Sequence, residues 1–121
     1  MANKNSKTNK LPNRDECEQW EMLSPMLNAL LTELQVLSKG KPNDALNNFK
    51  AKSINKILGK IKGLLSNEPT TEFLELLDEE TLPTNSDAVL IMVQFKTSMD
   101  RFRTKYYSDE GFLSDDWRTA D

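Results

Sequence analysis

The chain has 121 residues, of which 37% are hydrophobic and 29% charged, and its net charge is −3 at neutral pH. This length predicts one domain that buries a core without disulfides or metal ions. The chain holds no histidine and one cysteine, which excludes catalytic triads that need an imidazole and any intramolecular disulfide. A single cysteine fits a reducing compartment, so the expected location is the cytoplasm.

The first dozen residues are polar and basic. Residues 1–12 consist largely of Asn, Lys, Ser and Thr, so they are predicted to form a disordered tail. No apolar run follows the basic residues, so no secretory signal is expected. The sequence contains no stretch of about eighteen apolar residues, so no membrane span is predicted.

Four helices are predicted in chain order, at about residues 14–38, 44–65, 71–79 and 87–107. Together they form an all-α, up-down bundle of three long helices and one short helix, spanning residues 13–107. Each long helix carries an apolar stripe that lies on one helix face. The three stripes are Trp20, Leu23, Leu27, Leu30, Leu34 and Leu37; Leu46, Ile54, Ile57, Leu58, Ile61, Leu64 and Leu65; and Ala88, Met92, Phe95, Met99, Phe102 and Tyr106.

Capping residues predict where the helices begin. Pro25 falls inside the first stripe without disturbing its phase, which favours a kink over a break, although Ser24 and Pro25 would also suit the start of a new helix. Polar side chains at the expected helix starts would accept hydrogen bonds from the first-turn N–H groups. The predicted caps are Asn13 with Glu16, Asn43 or Asp44, Thr70 or Thr71, and Thr84 with Asp87.

Charge is distributed unevenly along the chain. Residues 44–65 carry five lysines and one acid, residues 66–87 carry seven acids and no base, and residues 108–121 carry five acids and one arginine. The simplest interpretation is mutual neutralisation, with the acidic short helix beside the lysine helix. The alternative is binding of a nucleic-acid phosphate backbone, which lysines support without sequence specificity. The candidate basic face consists of Lys52, Lys56, Lys60 and Lys62.

The second helix has two further irregularities. Gly59 and Gly63 each cost about 1 kcal/mol relative to alanine inside a helix. They are either tolerated surface glycines or a strip that a second helix or a phosphate backbone approaches closely. Phe49 projects toward the lysine side, so either the first turn is not regular helix or Phe49 serves a second contact.

The last helix is more apolar than one stripe requires, which is typical of a helix at the centre of a bundle or at an interface. We therefore expect a protein partner or a second copy, unless the short helix covers this face through Phe73, Leu76 and Leu77. Residues 108–121 form an acidic, aromatic tail that either packs on the bundle end or contacts a partner. The candidate partner surface is Val89, Leu90, Val93, Phe112 and Trp117.

The sequence shows no catalytic, phosphate-binding or metal-binding motif. Acids flank Cys17, which raises a thiol pKa and favours a structural role, and Glu72 with Glu75 is typical of a solvated helix face. The predicted function is a non-catalytic interaction module, an adaptor or small subunit of a cytoplasmic complex of bacterial or phage origin. No cofactor and no small-molecule substrate are expected. The alternative is a nucleic-acid-associated protein that uses the lysine face.

Overall fold

The computed structural model describes residues 11–108 and 116–121, and this part of the chain is mostly helical. The predicted all-α class is therefore confirmed, while the disorder predicted for residues 1–10 and the contacts predicted for Phe112 lie outside the described residues. The elements are α1 (Arg14–Gly40), α2 (Asn48–Leu64), a 3-10 turn (Pro69–Phe73), α3 (Asn85–Tyr106), β1 (Tyr107–Ser108) and β2 (Asp116–Trp117), the two strands pairing antiparallel.

Helix α1 runs antiparallel to both other helices. Near its beginning, the indole N–H of Trp20 donates to the carbonyl of Met99, late in α3, at 2.8 Å. At its other end, the N–H of Ser86 at the start of α3 donates to the carbonyl of Pro42 at 3.1 Å. Helix α2 begins at that same end and runs back, so the chain returns to the start of α3 through an extended segment, residues 74–78, followed by bends at residues 79–81.

The core forms where the three apolar stripes meet. Every stripe residue of α3 is buried, as predicted, and α1 packs against both α2 and α3. The stripes of α1 and α2 are buried or half-buried, and three further residues of these two helices join the core. These are Cys17, Leu31 and Ala51.

The α-helix predicted at residues 71–79 is wrong. A single 3-10 turn spans Pro69–Phe73, and residues 74–78 are extended. The side chain of Asn55 in α2 holds Leu77 in that conformation, donating to its carbonyl at 2.8 Å and accepting from its N–H at 2.9 Å. Acids at residues 78–80 would also oppose the negative end of a helix dipole. Tertiary hydrogen bonds and charge therefore override the local helical pattern.

The predicted cap of α2 at Asn43 or Asp44 is also wrong, and α2 begins four residues later than expected. Asn47 is the cap, because its side chain accepts from the N–H of Lys50 at 2.9 Å. The residues just before Asn47 instead form a loop that pairs with the loop before α3. The N–H of Leu46 donates to the carbonyl of Pro83 at 2.8 Å. Leu46 is buried in the core although it precedes the helix.

The other helix starts are mostly as predicted. Asn13 and Glu16 form a full capping box, and the hydroxyl of Thr84 accepts from the N–H of Asp87 at 3.1 Å. Helix α1 continues through Pro25, so a new helix beginning there is excluded. Thr70 and Thr71 cap no α-helix, since only the 3-10 turn forms.

The end of the chain packs on the bundle. Trp117 is buried beside Trp20, Phe102 and Tyr107. The N–H of Ala120 donates to the carbonyl of Pro12 at 2.9 Å. Pro12 is buried, so this residue at the inner end of the predicted tail belongs to the fold. The described part of the acidic tail thus belongs to the fold.

Candidate protein-docking groove

The predicted partner residues do not form one surface. Val89 is half-buried against the core, whereas Leu90 is exposed. Val93 borders a shallow groove of about 230 Å³ between α3 and the 3-10 turn, where Phe73 is its exposed neighbour. Trp117 is only 7% exposed, so its indole is buried within the fold and offers little surface to a partner.

The predicted lysine face is partly neutralised. Lys52 pairs with Glu79 at 3.6 Å, and Asn55 donates to the same carboxylate at 2.8 Å. The acidic segment therefore lies along α2, although it is extended and not helical. Within residues 11–108 and 116–121, Lys56, Lys60 and Lys62 are exposed and make no ion pair.

The two helical glycines of α2 face open space. A Cβ added at Gly59 or Gly63 would meet no atom within 4 Å. Neither glycine is therefore required by packing among the described residues.

Replacing Gly59 or Gly63 with alanine should raise the free energy of unfolding by about 1 kcal/mol each, because alanine loses less backbone entropy in a helix. Urea denaturation followed by circular dichroism measures the change. A loss of stability would show that this face is not open.

An apolar groove lies between α1 and α2, at the end of α1 and the beginning of α2. It encloses about 500 Å³. Six apolar and three polar residues line it: Leu30, Leu34, Val36, Leu37, Phe49 and Ile54, with Glu33, Lys50 and Ser53. The core stripes of α1 and α2 form its floor, so the groove is a part of the bundle core that remains open to solvent.

Phe49 stands at the mouth of this groove and is 76% exposed. Val36 of α1 is exposed beside the same groove. Burying a side chain such as Phe or Val contributes about 1.5–3 kcal/mol of stabilising free energy. Because Phe49 and Val36 are exposed, neither gains this free energy within the fold. The irregular phase of Phe49 predicted from sequence therefore corresponds to an exposed side chain in the first turn of α2.

Exposed apolar side chains continue from the groove along α1. Met22 and Met26 are exposed and precede Leu30 by eight and four residues, which places the three on one helix face. Sequence reasoning missed Met22, Met26 and Val36. The four-residue spacing of the two methionines from Leu30 was the available signal, but α1 already had a complete core stripe.

The α2 wall of the groove is positively charged. Helix α2 contains five lysines and no acid, and one of them, Lys50, lines the groove. Lys60 follows the groove residue Ser53 by seven residues, or two helical turns, so it extends the same side of the helix. On the α1 wall, Glu33 is the acid that lines the groove.

A second groove, between α1 and α3, has a different character. It encloses about 460 Å³, and four of its six lining residues are polar: Thr32, Gln35, Ser38 and Lys39, with Val36 and Val89. The groove between α1 and α2 is therefore the more apolar of these two clefts.

The buried titratable groups serve the fold. Burial raises the pKa of the Cys17 thiol to about 11, so little reactive thiolate exists at neutral pH. The hydroxyl of Tyr106 donates to Glu68 at 2.9 Å, and burial followed by this hydrogen bond raises the pKa of Tyr106. Lys105 pairs with the same carboxylate at 3.3 Å. This cluster fastens the start of the 3-10 turn to the end of α3.

The described residues hold neither a metal-binding cluster nor a membrane-spanning helix. No group of three or more Cys, Asp or Glu side chains is arranged to hold a metal ion. None of the helices in this part of the chain is long and apolar enough to cross a membrane. Comparison of the chain with protein-family models, curated proteins and solved structures gave no match.

Proposed function

We propose that this protein is a non-catalytic interaction module that binds a protein partner in the groove between α1 and α2. The observation that carries the proposal is the exposed Phe49 at the mouth of an apolar groove of about 500 Å³. Contiguous exposed apolar surface is typical of interaction sites. Aromatic side chains are also frequent among the residues that dominate binding energy at interfaces.

The polar residues of the groove suit binding better than catalysis. Ser53 would need a neighbouring base to act as a nucleophile, and the chain holds no histidine. Glu33 and Lys50 lie at the groove as single charges among apolar side chains. What the groove offers is apolar contact area with a charge on each wall.

The proposed setting is an adaptor or small subunit of a cytoplasmic complex. One cysteine in 121 residues fits a reducing compartment. A chain rich in Asn and Lys fits a bacterial or phage source. The acidic net charge of −3 and a compact helical bundle suit a small subunit that docks through one face.

A nucleic-acid-associated protein is the second candidate. It is favoured by Lys56, Lys60 and Lys62, which carry no ion pair among the described residues. Three features weigh against it: Lys52 is paired with Glu79, α2 contains no arginine, and the net charge is negative. Salt-dependent binding of generic DNA or RNA that is lost when Lys56 and Lys60 become Glu would support this candidate.

The proposed function predicts that Phe49→Asp removes partner binding. The tagged full-length chain is incubated with lysate of its host, and captured proteins are identified by mass spectrometry. At least one stoichiometric partner should be recovered with the wild type and reduced about tenfold or more with Phe49→Asp, because a charge at the groove mouth would have to be desolvated.

Phe73→Asp is the matched control. Phe73 is 64% exposed but lies on the 3-10 turn, away from the groove, so this variant should recover the same partner as the wild type. Circular dichroism checks that both variants are folded. Equal recovery by all three proteins would contradict the proposed function.

A further inference from the structure

We propose that the partner segment is an acidic amphipathic helix, which packs into the groove between α1 and α2 as the fourth helix of a bundle. This inference rests on the proposed function and specifies the chemistry of the occupant. Three features of the described residues carry it: the shape of the cleft, the length of its apolar floor and the sign of the charge on its α2 wall.

The first feature is the arrangement of the helices. Helices α1 and α2 are antiparallel neighbours, and the extended segment covers the side of α2 that carries Lys52 and Asn55. On the opposite side, no described element covers the cleft between α1 and α2. Helices pack by placing the ridges of one into the grooves of another, so a cleft between two antiparallel helices fits a further helix, as in four-helix bundles.

The second feature is length. From Leu30 to Leu37 the floor spans seven residues, about 10 Å, or two helical turns. A docked helix would contact it with apolar residues at positions i, i+3 or i+4, and i+7. Met22 and Met26 extend the apolar track by about 12 Å toward the start of α1. Methionine side chains adapt readily to different contact shapes.

The third feature is charge. Lys50 lines the groove, and Lys56 follows Phe49 by seven residues, so positive charge continues along the α2 wall for two more turns. Acidic residues on the flank of a docked helix facing α2 would meet this charge. Complementary potentials raise the association rate and disfavour partners whose charge has the same sign as the wall. On the α1 wall, Glu33 favours a neutral or basic residue at the centre of the other flank.

A nucleic acid fits this groove less well than an acidic helix. Its phosphates would gain nothing from Phe49 and Val36 and would approach the carboxylate of Glu33. The helix uses both the apolar floor and the lysine wall. A helix of a second copy of this chain would place its own charges on those walls, and it is an outcome of the test below.

The test uses designed peptides with full-length protein. One fluorescent peptide of about 18 residues carries leucines at helical spacing, glutamates on one flank and glutamines on the other; its matched control carries lysine in place of every glutamate. Binding is measured by fluorescence anisotropy at low and at high salt. We expect the glutamate peptide to bind about tenfold more tightly than the lysine peptide at low salt, and the preference to shrink at high salt.

Charge-reversal variants show whether the preference comes from the α2 wall. The double variant Lys50→Glu with Lys60→Glu should reduce the preference to about threefold or less. Lys62→Glu is the matched control, because Lys62 follows Asn55 by seven residues and lies on the side of α2 that faces the extended segment. It should change the preference little.

The outcomes separate this inference from the proposed function. If both peptides bind equally and both lose binding with Phe49→Asp, the groove is a docking site but the acidic helix is wrong. If neither peptide binds, the inference is overturned, and the proposed function is then decided by partner capture with Phe49→Asp. A DNA duplex that binds more tightly than either peptide, or a dimer in sedimentation that Phe49→Asp abolishes, would overturn the inference in favour of a nucleic acid or a second copy.

Discussion

Trp117→Ala should lower the free energy of unfolding by about 3–5 kcal/mol, as expected for removing a buried indole. The ring is 7% exposed and lies 5.4 Å from Trp20, 5.8 Å from Phe102 and 5.3 Å from Tyr107 between ring centroids. Its N–H donates to Glu21 at 2.8 Å. The substitution would therefore open a cavity and leave an acceptor without its donor.

This loss is large against a typical domain stability of about 5–15 kcal/mol. Urea denaturation followed by far-ultraviolet circular dichroism measures it without depending on tryptophan fluorescence. Trp117→Phe should cost less, because it keeps most of the apolar contact and removes only the hydrogen bond. Phe73→Ala, at an exposed aromatic, should change the free energy by less than about 1 kcal/mol. A Trp117→Ala effect as small as that of Phe73→Ala would mean that the end of the chain does not belong to the core.

The second large effect is expected at Leu77, in the extended segment. Leu77 is 3% exposed and its neighbour Leu76 is 43% exposed. Asn55 fixes this orientation by hydrogen bonds to both backbone groups of Leu77. Leu77→Ala should therefore lower the free energy of unfolding by about 2–5 kcal/mol, whereas Leu76→Ala should cost less than about 1 kcal/mol.

The two leucine variants form a matched pair, since the same atoms are removed at adjacent positions. Both are compared by urea denaturation under identical conditions. If Leu76→Ala cost as much as Leu77→Ala, both leucines would be buried in solution, as in the short helix predicted from sequence. The extended course of residues 74–78 would then be contradicted.

The parts of the fold that follow from local sequence were predictable. Every stripe residue of α3 is buried, because apolar residues at helical spacing lie on one helix face and that face packs against the core. The capping box of Asn13 with Glu16 also depends only on residues three apart. Both predictions needed no knowledge of which elements become neighbours.

The parts that depend on distant neighbours were not predictable. The pattern at residues 71–79 is locally helical, but Asn55, more than twenty residues earlier, pairs with the backbone of Leu77. Leu46 is apolar and buried, yet it lies in a loop whose backbone pairs with the loop before α3 and not in the predicted helix. In both cases the apolar residue is visible in the sequence, but the distant contact that determines its position is not.

The groove was not predicted from the sequence, which singled out only Phe49 among its exposed apolar residues. The irregular phase of Phe49 indicated either an irregular turn or a second contact, and the side chain is in fact exposed at a groove. Val36 and Met26 were missed because an exposed apolar residue on a helix is common. They become informative only when the position of α2 shows that a cleft lies beside them.

The most direct measurement of the central claim is a nuclear magnetic resonance titration of isotope-labelled full-length protein with the acidic peptide. Amide shifts should concentrate at the groove residues Leu30, Glu33 and Leu37 in α1 and Phe49 and Ser53 in α2. The amides of α3 around Val93 and of the 3-10 turn should change little. Shifts centred on α3 or the 3-10 turn, or absent from both walls of the groove, would contradict the assignment of the groove between α1 and α2 as the docking site.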